Sequence, residues 1–314
     1  MTPELRIVTR TQGANADLKS GAIRSASVSL DFIEVDPLVD AFRRMVRTIE
    51  FDASEMSLTT YLCARQAGVP ITALPIFLVR GLHHGAMTVR DAAGITTPAD
   101  LEGRRVAVSR GYSVTTGVWA REILASEYDV DLHEVNWLPT AEEHVTGTPL
   151  PRNVPKDAVG LSVEALLEHE DVDAVVGVSV DGPGLSPLLP DADQLGFASL
   201  VHTGLYPINH LIVVRDDVLT ANPGLALDLF DAFAEAKNRY VARLIRDDFE
   251  PMNANDRMLA RVFRETGSDP LPYGIASNAV MLERLIASAH AQGLLTHAPS
   301  VEELFAAETL HLSA

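Results

Sequence analysis

Short apolar runs alternate with amphipathic segments along nearly the whole chain, and this restricts it to α/β architecture built on mostly parallel sheets. Leu5 to Val8 and Ser27 to Phe32 read as strands. From Pro37 to Arg47, Leu38, Phe42, Met45 and Val46 recur at i, i+4, i+7 and i+8, the spacing of a helix with one core face. Ser57 to Gln66 predicts another helix, stopped by Gly68 and Pro70, and Ile71 to Val79 predicts a strand. Thr97 to Val108 reads as an N-capped short helix, a stop at Gly103 and a strand. The loop Ser109 to Thr116 opens a helix carrying Val118, Ile123 and Leu124, and Asp173 to Ser179 has the two-sided apolar pattern of a buried strand. Ile208 to Val214 predicts a strand, Asn222-Pro223 caps a helix reaching Leu244, Ser277 starts one that ends near Gly293, and Ser300 with Glu303 fits a capping box. Thr146 to Pro155 and Asp181 to Pro190 read as loops, and no internal repeat appears.

With 314 residues, 47% of them hydrophobic, the chain can bury a sizeable core, as two α/β lobes or one large domain. A formal charge of −18 without clustered Lys and Arg excludes a nucleic-acid partner. An anionic ligand would then need local capture by Arg, His or helix termini, while the acidity also serves solubility. No apolar run approaches the roughly 20 residues needed to span a bilayer, so no membrane partner is expected. Met1 to Val8 lead straight into a strand without a basic or long apolar leader, and the lone Cys63 precludes an internal disulfide. Both features read as cytoplasmic, and a homo-oligomer is compatible with the sequence.

Four polar segments carry the candidate chemistry. Phe51 to Tyr61 crosses from an apparent strand to an apparent helix, and a helix N-terminus offers unpaired N–H groups and a positive dipole end. Ser54, Glu55 and Ser57 there are either a plain cap or a carboxylate seat, with Glu55 also able to orient a hydroxyl or carry a proton. Arg80 to Gly85 follows the strand Ile71 to Val79, and its Arg80, His83 and His84 are either a solvated loop or a bidentate carboxylate grip beside a proton-transfer group. Tyr206 to His210 precedes the strand Ile208 to Val214, so His210 is either a satisfied core histidine or an acid/base group. Tyr112, Ser113, Thr115 and Thr116 form a hydroxyl-rich helix start, again a cap or an anion seat. Ser179, at the end of its predicted strand, is a weaker candidate, and Glu142 and Glu143 read as a solvated acidic face. The sequence contains no dinucleotide or phosphate glycine fingerprint, no His-Glu-x-x-His spacing and no Gly-x-Ser-x-Gly elbow.

In order along the chain, Phe51 to Leu58, Arg80 with His84, Trp119 in the segment Tyr112 to Trp119, Tyr206 to His210, Pro272-Tyr273-Gly274 and the tail Val301 to Leu310 resemble the 4,5-dihydroxyphthalate decarboxylase family. The element order resembles the type II periplasmic-binding-protein fold, in which Thr97 to Val108 is a frequent start of the second lobe. The resemblance implies a two-lobed α/β structure with a ligand cleft between lobes. Residues 1–85 and 211–314 would form lobe 1, with 86–210 inserted between two crossings as lobe 2. It implies a carboxy-lyase acting on a hydroxylated aromatic dicarboxylate, a small anionic aromatic substrate. His84, favoured over His83, or His210 would transfer the proton, and Glu55 would join them. Arg10, Ser54, Ser57, Arg80, Tyr112, Thr115, Thr116 and Ser179 would bind substrate. Because the keto tautomer of a phenol ortho or para to the leaving group accepts the electrons, no cofactor is expected, and no ligand spacing calls for a metal. The family's acidic, Tyr-rich loop after the first strand is replaced here by Arg10 to Asp17, and Arg110 is an extra Arg beside Tyr112. The alternative on the same fold is a non-catalytic solute-binding protein of the transporter type.

Overall fold

The computed structural model describes residues 4–246 and 252–314, so Met1 to Pro3, part of the segment read as leading into the first strand, lie outside the described residues. Ten strands in the described residues make two five-stranded sheets: β1 (Glu4–Val8), β2 (Ser29–Ile33), β3 (Ala53–Ser57), β4 (Ile71–Arg80), β5 (Met87–Arg90), β6 (Arg105–Val108), β7 (Asn136–Pro139), β8 (Ala174–Val176), β9 (Leu185–Pro187) and β10 (Ile208–Arg215). The first sheet runs β2-β1-β3-β10-β4 and the second β7-β6-β8-β5-β9. In each, three parallel strands are followed by one antiparallel strand at the fourth position, and that strand pairs on its far side with the fifth. The two sheets thus repeat one mixed α/β pattern; the reversed strand of the first, β10, comes from a distant part of the chain, and that of the second, β5, is its first strand in chain order.

The chain divides into two compact units, Met1–Arg80 with Ile208–Glu283 and Pro299–Ala314, and Gly81–Pro207 with Arg284–Ala298. The sequence reading divided the chain after 85 and after 210; these divisions fall after Arg80 and Pro207, and Arg284–Ala298 goes with the second unit. There Arg284 pairs with Glu122 at 2.6 Å, and the Gln292 side chain bonds Arg121 and the Val118 carbonyl.

In the first unit the helix Leu38–Thr48 turns Ala41, Phe42, Met45 and Val46 inward, the face its spacing predicts. At about 1.5–3 kcal/mol for each large apolar side chain, this face is a main reason the helix docks. In the second unit Leu138 and Val175 of the sheet pack with Leu166 and Leu167 of the helix Val163–Glu168. Two local readings give way to tertiary structure. The helix read from Ser57 runs over Leu58–Gln66 with Ser57 at its N-cap, but Ser54 and Glu55, read as part of its entry, are in strand, all five residues of β3 being buried because β3 is held between β1 and β10. The strand expected to reach Ser179 ends at Val176, and the presumed loop 181–190 contains the short β9.

The Pro272-Tyr273-Gly274 motif anchors the tail of the first unit. Tyr273 and Ala314 exchange backbone bonds at 2.8 and 3.2 Å, and Gly274 has φ 95°. A Cβ on Gly274 would lie 2.2 Å from the Leu312 carbonyl oxygen, so no other residue fits without moving backbone. We expect Gly274→Ala to lower stability by more than about 1 kcal/mol, read as a lower denaturant midpoint at unchanged slope.

Candidate active site

In α/β sheets the carboxyl ends of the parallel strands are the edge where loops gather functional groups. In the first unit β1 runs into Thr9 and Arg10, β3 ends at Ser57 and β4 at Arg80. The antiparallel β10 begins at this same edge, with Ile208 opposite Arg80 and His210 opposite Ser57. Across the β3–β10 ladder Glu55 faces Ile212. Opposed residues share a face and alternate residues return to it, so Glu55 and His210 are diagonal neighbours. Their side chains meet, with His210 Nδ1 2.7 Å from Glu55 Oε1. Next to this point β4 carries two extra residues between Leu74 and Phe77, where Pro75 lacks an N–H for the ladder, and the resulting irregularity lies opposite Leu211 and Ile212.

Glu55 is fully buried, and its other oxygen is also saturated. Oε2 accepts from the Thr9 hydroxyl at 2.7 Å, the Arg10 N–H at 3.3 Å and Gln12 Nε2 at 3.5 Å. Burial pushes the carboxyl up. The hydrogen bond and charge of His210, the Thr9 hydroxyl and the charge of Arg10 together outweigh it and hold Glu55 below its ordinary value. His210 keeps 19% of its side chain exposed, its ring meets Phe42 edge-on at 5.2 Å, and among the described residues none bonds its Nε2. An ionised glutamate can only accept, so Nδ1 carries the proton and Nε2 is left for chemistry.

The other residues expected in this unit are placed as follows. Ser57 lies on the Glu55 face. Ser54 lies on the opposite one, and its hydroxyl donates to the Glu55 carbonyl. Ser54, Glu55 and Ser57 are therefore not one helix-terminal seat, since the strand continues through them. Arg80 is buried, with Nη2 donating to the Pro272 carbonyl at 3.0 Å and to the Asn278 side chain. Arg10 is exposed beside Glu55.

The second unit repeats the edge with different occupants. Tyr112 and Ser113 follow β6, Thr115 and Thr116 open the helix Thr115–Tyr128, and Ser179 stands exposed three residues past β8. Glu143, expected as a solvated acid, is buried here. It accepts from the Tyr112 N–H at 2.6 Å, the Ser113 N–H at 3.0 Å and the Ser113 hydroxyl, in space that Gly111 leaves free for want of a side chain. Behind this turn the buried Arg121 donates to the Tyr112 carbonyl at 2.6 Å and to Gln292 at 2.7 Å, with its guanidinium 3.8 Å from the Tyr112 ring centre.

His83 and His84 are likewise buried, not a solvated pair. His84 Nε2 lies 2.9 Å from Glu127 Oε2, whose other oxygen accepts from Ser199 at 2.8 Å. Burial raises Glu127, but the bonds from His84 and Ser199 and the charges of His84 and Arg284 hold it below its ordinary value. Among the described residues His84 Nδ1 has no hydrogen-bond partner, and it packs against Gly196. Among the described residues no group of three His, Cys, Asp or Glu side chains is placed to hold a metal, and no helix is long and apolar enough to cross a membrane.

No protein-family model matches the chain. It is 30% identical over 305 residues, 92% of each chain, to a 4,5-dihydroxyphthalate decarboxylase of Comamonas testosteroni. The chain belongs to the 4,5-dihydroxyphthalate decarboxylase family. As a member it is a decarboxylase, the class that the sequence resemblance implied. Its fold is that of the periplasmic binding proteins. The aliphatic sulphonate binding protein SsuA of Escherichia coli superposes over 99% of both chains at a TM-score of 0.55 and 13% identity. The desulfurization enzyme DSZB superposes over 98% of this chain and 97% of its own at 0.54 and 17%.

For this decarboxylase, sequence reasoning missed Thr9, Glu127, Arg121 and the inward Glu143. Thr9 had a signal, as the first polar residue after an apolar parallel strand. Glu127 and Glu143 had none, because their partners lie 43 and about 30 residues away. The Glu55 carboxyl is held low in the folded state, so the stability it contributes is complete above its unfolded value of about 4.3 and is lost as pH falls through the lower folded value. We expect Glu55→Gln to be less stable than the parent near neutrality and to lose less on acidification, measured by denaturant midpoints at several pH values between about 3 and 7.

Proposed function

We propose that this decarboxylase acts without an oxidant on a hydroxylated aromatic dicarboxylate such as 4,5-dihydroxyphthalate, with His210 as the group that protonates the ring. The substrate class rests on the Comamonas testosteroni relative, a 4,5-dihydroxyphthalate decarboxylase. The observation that carries the mechanism is the pairing of the accessible His210 with a buried, ionised Glu55 at the carboxyl edge of the first sheet.

In 4,5-dihydroxyphthalate each carboxylate has a hydroxyl para to it. When the para hydroxyl releases its proton to solvent and its oxygen pushes electrons into the ring, the carbon bearing the carboxylate becomes basic and takes a proton from His210 Nε2. The bond to the carboxylate then breaks, its electron pair restores the aromatic ring, carbon dioxide leaves, and the para oxygen regains its proton from solvent. The net change is one proton gained by the ring and one carbon dioxide lost, so no electrons need an acceptor. Glu55 fixes the imidazole orientation and stabilises the imidazolium before transfer. Arg10, Arg80 and Ser57 of the first unit are the groups proposed to bind substrate beside this pair. The geometry favours His210 over His84 as the acid, since Glu127 occupies His84 Nε2 and its Nδ1 is enclosed.

The test is carbon dioxide release by the purified protein from a panel of hydroxyphthalates, with His210→Ala and His84→Ala compared. We expect His210→Ala to lower kcat by about 10²-fold or more, as for loss of a general acid, with a smaller change in KM. His84→Ala should mainly lower the unfolding midpoint. Equal loss of kcat in His84→Ala at unchanged stability would transfer the acid role to His84. Tight binding of every acid with no release would favour a solute-binding protein.

A further inference from the structure

Thr9, Arg10 and Gln12 of the loop after β1 converge on Glu55. Asn15 is fully buried and its orientation is forced: Oδ1 accepts the backbone N–H of Gln12 at 2.9 Å, and a peptide N–H can only donate. The amide nitrogen must then face the other way, where Nδ2 donates to the Arg10 carbonyl at 3.0 Å and to the Thr9 hydroxyl oxygen at 3.1 Å. With the amide reversed, donor would meet donor at Gln12 and acceptor would meet acceptor at Arg10.

Thr9, itself buried, receives that bond and has one proton to give. Two acceptors lie within reach, Glu55 Oε2 at 2.7 Å and the Arg10 carbonyl at 3.3 Å. The shorter bond to a charged oxygen is the stronger by roughly a factor of two, so the proton goes to Glu55. Every donor in the series therefore points one way, from Gln12 through Asn15 and Thr9 to Glu55. A carboxylate so supplied accepts on its remaining oxygen as well, which makes His210 Nδ1 the donor.

We propose that Asn15 and Thr9 are positioning residues that set the tautomer of His210 through Glu55. They touch neither substrate nor the reacting imidazole nitrogen. Their effect is that the neutral ring carries its proton on Nδ1 and presents Nε2 unprotonated, ready to be recharged between turnovers. This rests on the reading of His210 as the proton-transfer group, although the tautomer itself does not depend on any substrate.

Thr9→Val, Thr9→Ser and Asn15→Asp test it with two readouts. Thr9→Val keeps the side-chain shape and removes the hydroxyl. Asn15→Asp keeps the Gln12 bond but places an acceptor opposite Thr9 Oγ, drawing its proton away from Glu55. In ligand-free protein, nitrogen NMR of the imidazoles, with His210 assigned by His210→Ala, should show Nδ1 protonated in the parent and in Thr9→Ser. A shift toward a mixture of tautomers is expected in Thr9→Val and Asn15→Asp. In turnover, Thr9→Val should lose about tenfold or more in kcat with little change in KM, and Thr9→Ser should restore most of it. A parent-like tautomer in folded Thr9→Val overturns the proposal, as does a loss of stability alone with kcat unchanged. If the parent releases no carbon dioxide, the decarboxylase mechanism falls while the NMR comparison still decides the tautomer.

Discussion

A carboxylate in the middle of a sheet is tolerated only when every lone pair that water would have served is served by the protein. Glu55 sits on β3 with neighbours on both sides and no exposure, and its two oxygens take bonds from Thr9, Arg10, Gln12 and His210. Those donors come from the loop after β1 and from β10, segments about 200 residues apart in the chain. Removing one donor leaves a buried charge short by a bond worth about 1.5–3 kcal/mol, so the loop, the strand and the histidine are tied to the same requirement.

The reversed strand makes this possible. Parallel strands alone would bring only their carboxyl ends to the edge where Thr9, Ser57 and Arg80 lie. β10 enters from the other direction and places its third residue, His210, beside Glu55. The second sheet has the same device in β5, at whose approach His84 stands. A fold with this pattern serves a sulphonate-binding protein and a desulfurization enzyme alike, so the architecture supplies an edge and leaves the chemistry to the residues on it.

The sequence was legible where periodicity and punctuation act locally. The helix at Leu38–Thr48, the strands at β1, β4, β6 and β10, and the turn at Thr97 with its Gly103 stop stand within a few residues of their expected places. It was legible for Glu55 and His210 as candidates, but not for their being partners, because that depends on ladder register, which a single chain does not display. Ser57 does stand at the N-cap of the helix that follows, but Ser54 and Glu55 misled, because a central position between two strands supplies their backbone bonds and overrides the preference of polar residues for helix entries. Glu143 misled in the opposite sense. An acid in a polar loop reads as solvated until a distant turn, here Tyr112 and Ser113, offers it three donors.

Two histidines each bonded to a glutamate would look equivalent in a list of contacts, yet the two pairs divide on which partner is enclosed. In the first unit the acid is buried and the base retains access, so the carboxylate polarises an imidazole whose far nitrogen is unused. In the second unit the base is buried and the acid is one-third exposed, so the bond consumes the reactive nitrogen and shares Glu127 with Ser199 of the helix Ala192–Thr203. The first arrangement keeps a proton-transfer atom available at the cost of burying a charge, which the loop after β1 offsets. The second spends its histidine on joining the segment before β5 to two helices, and that is the work of a clasp.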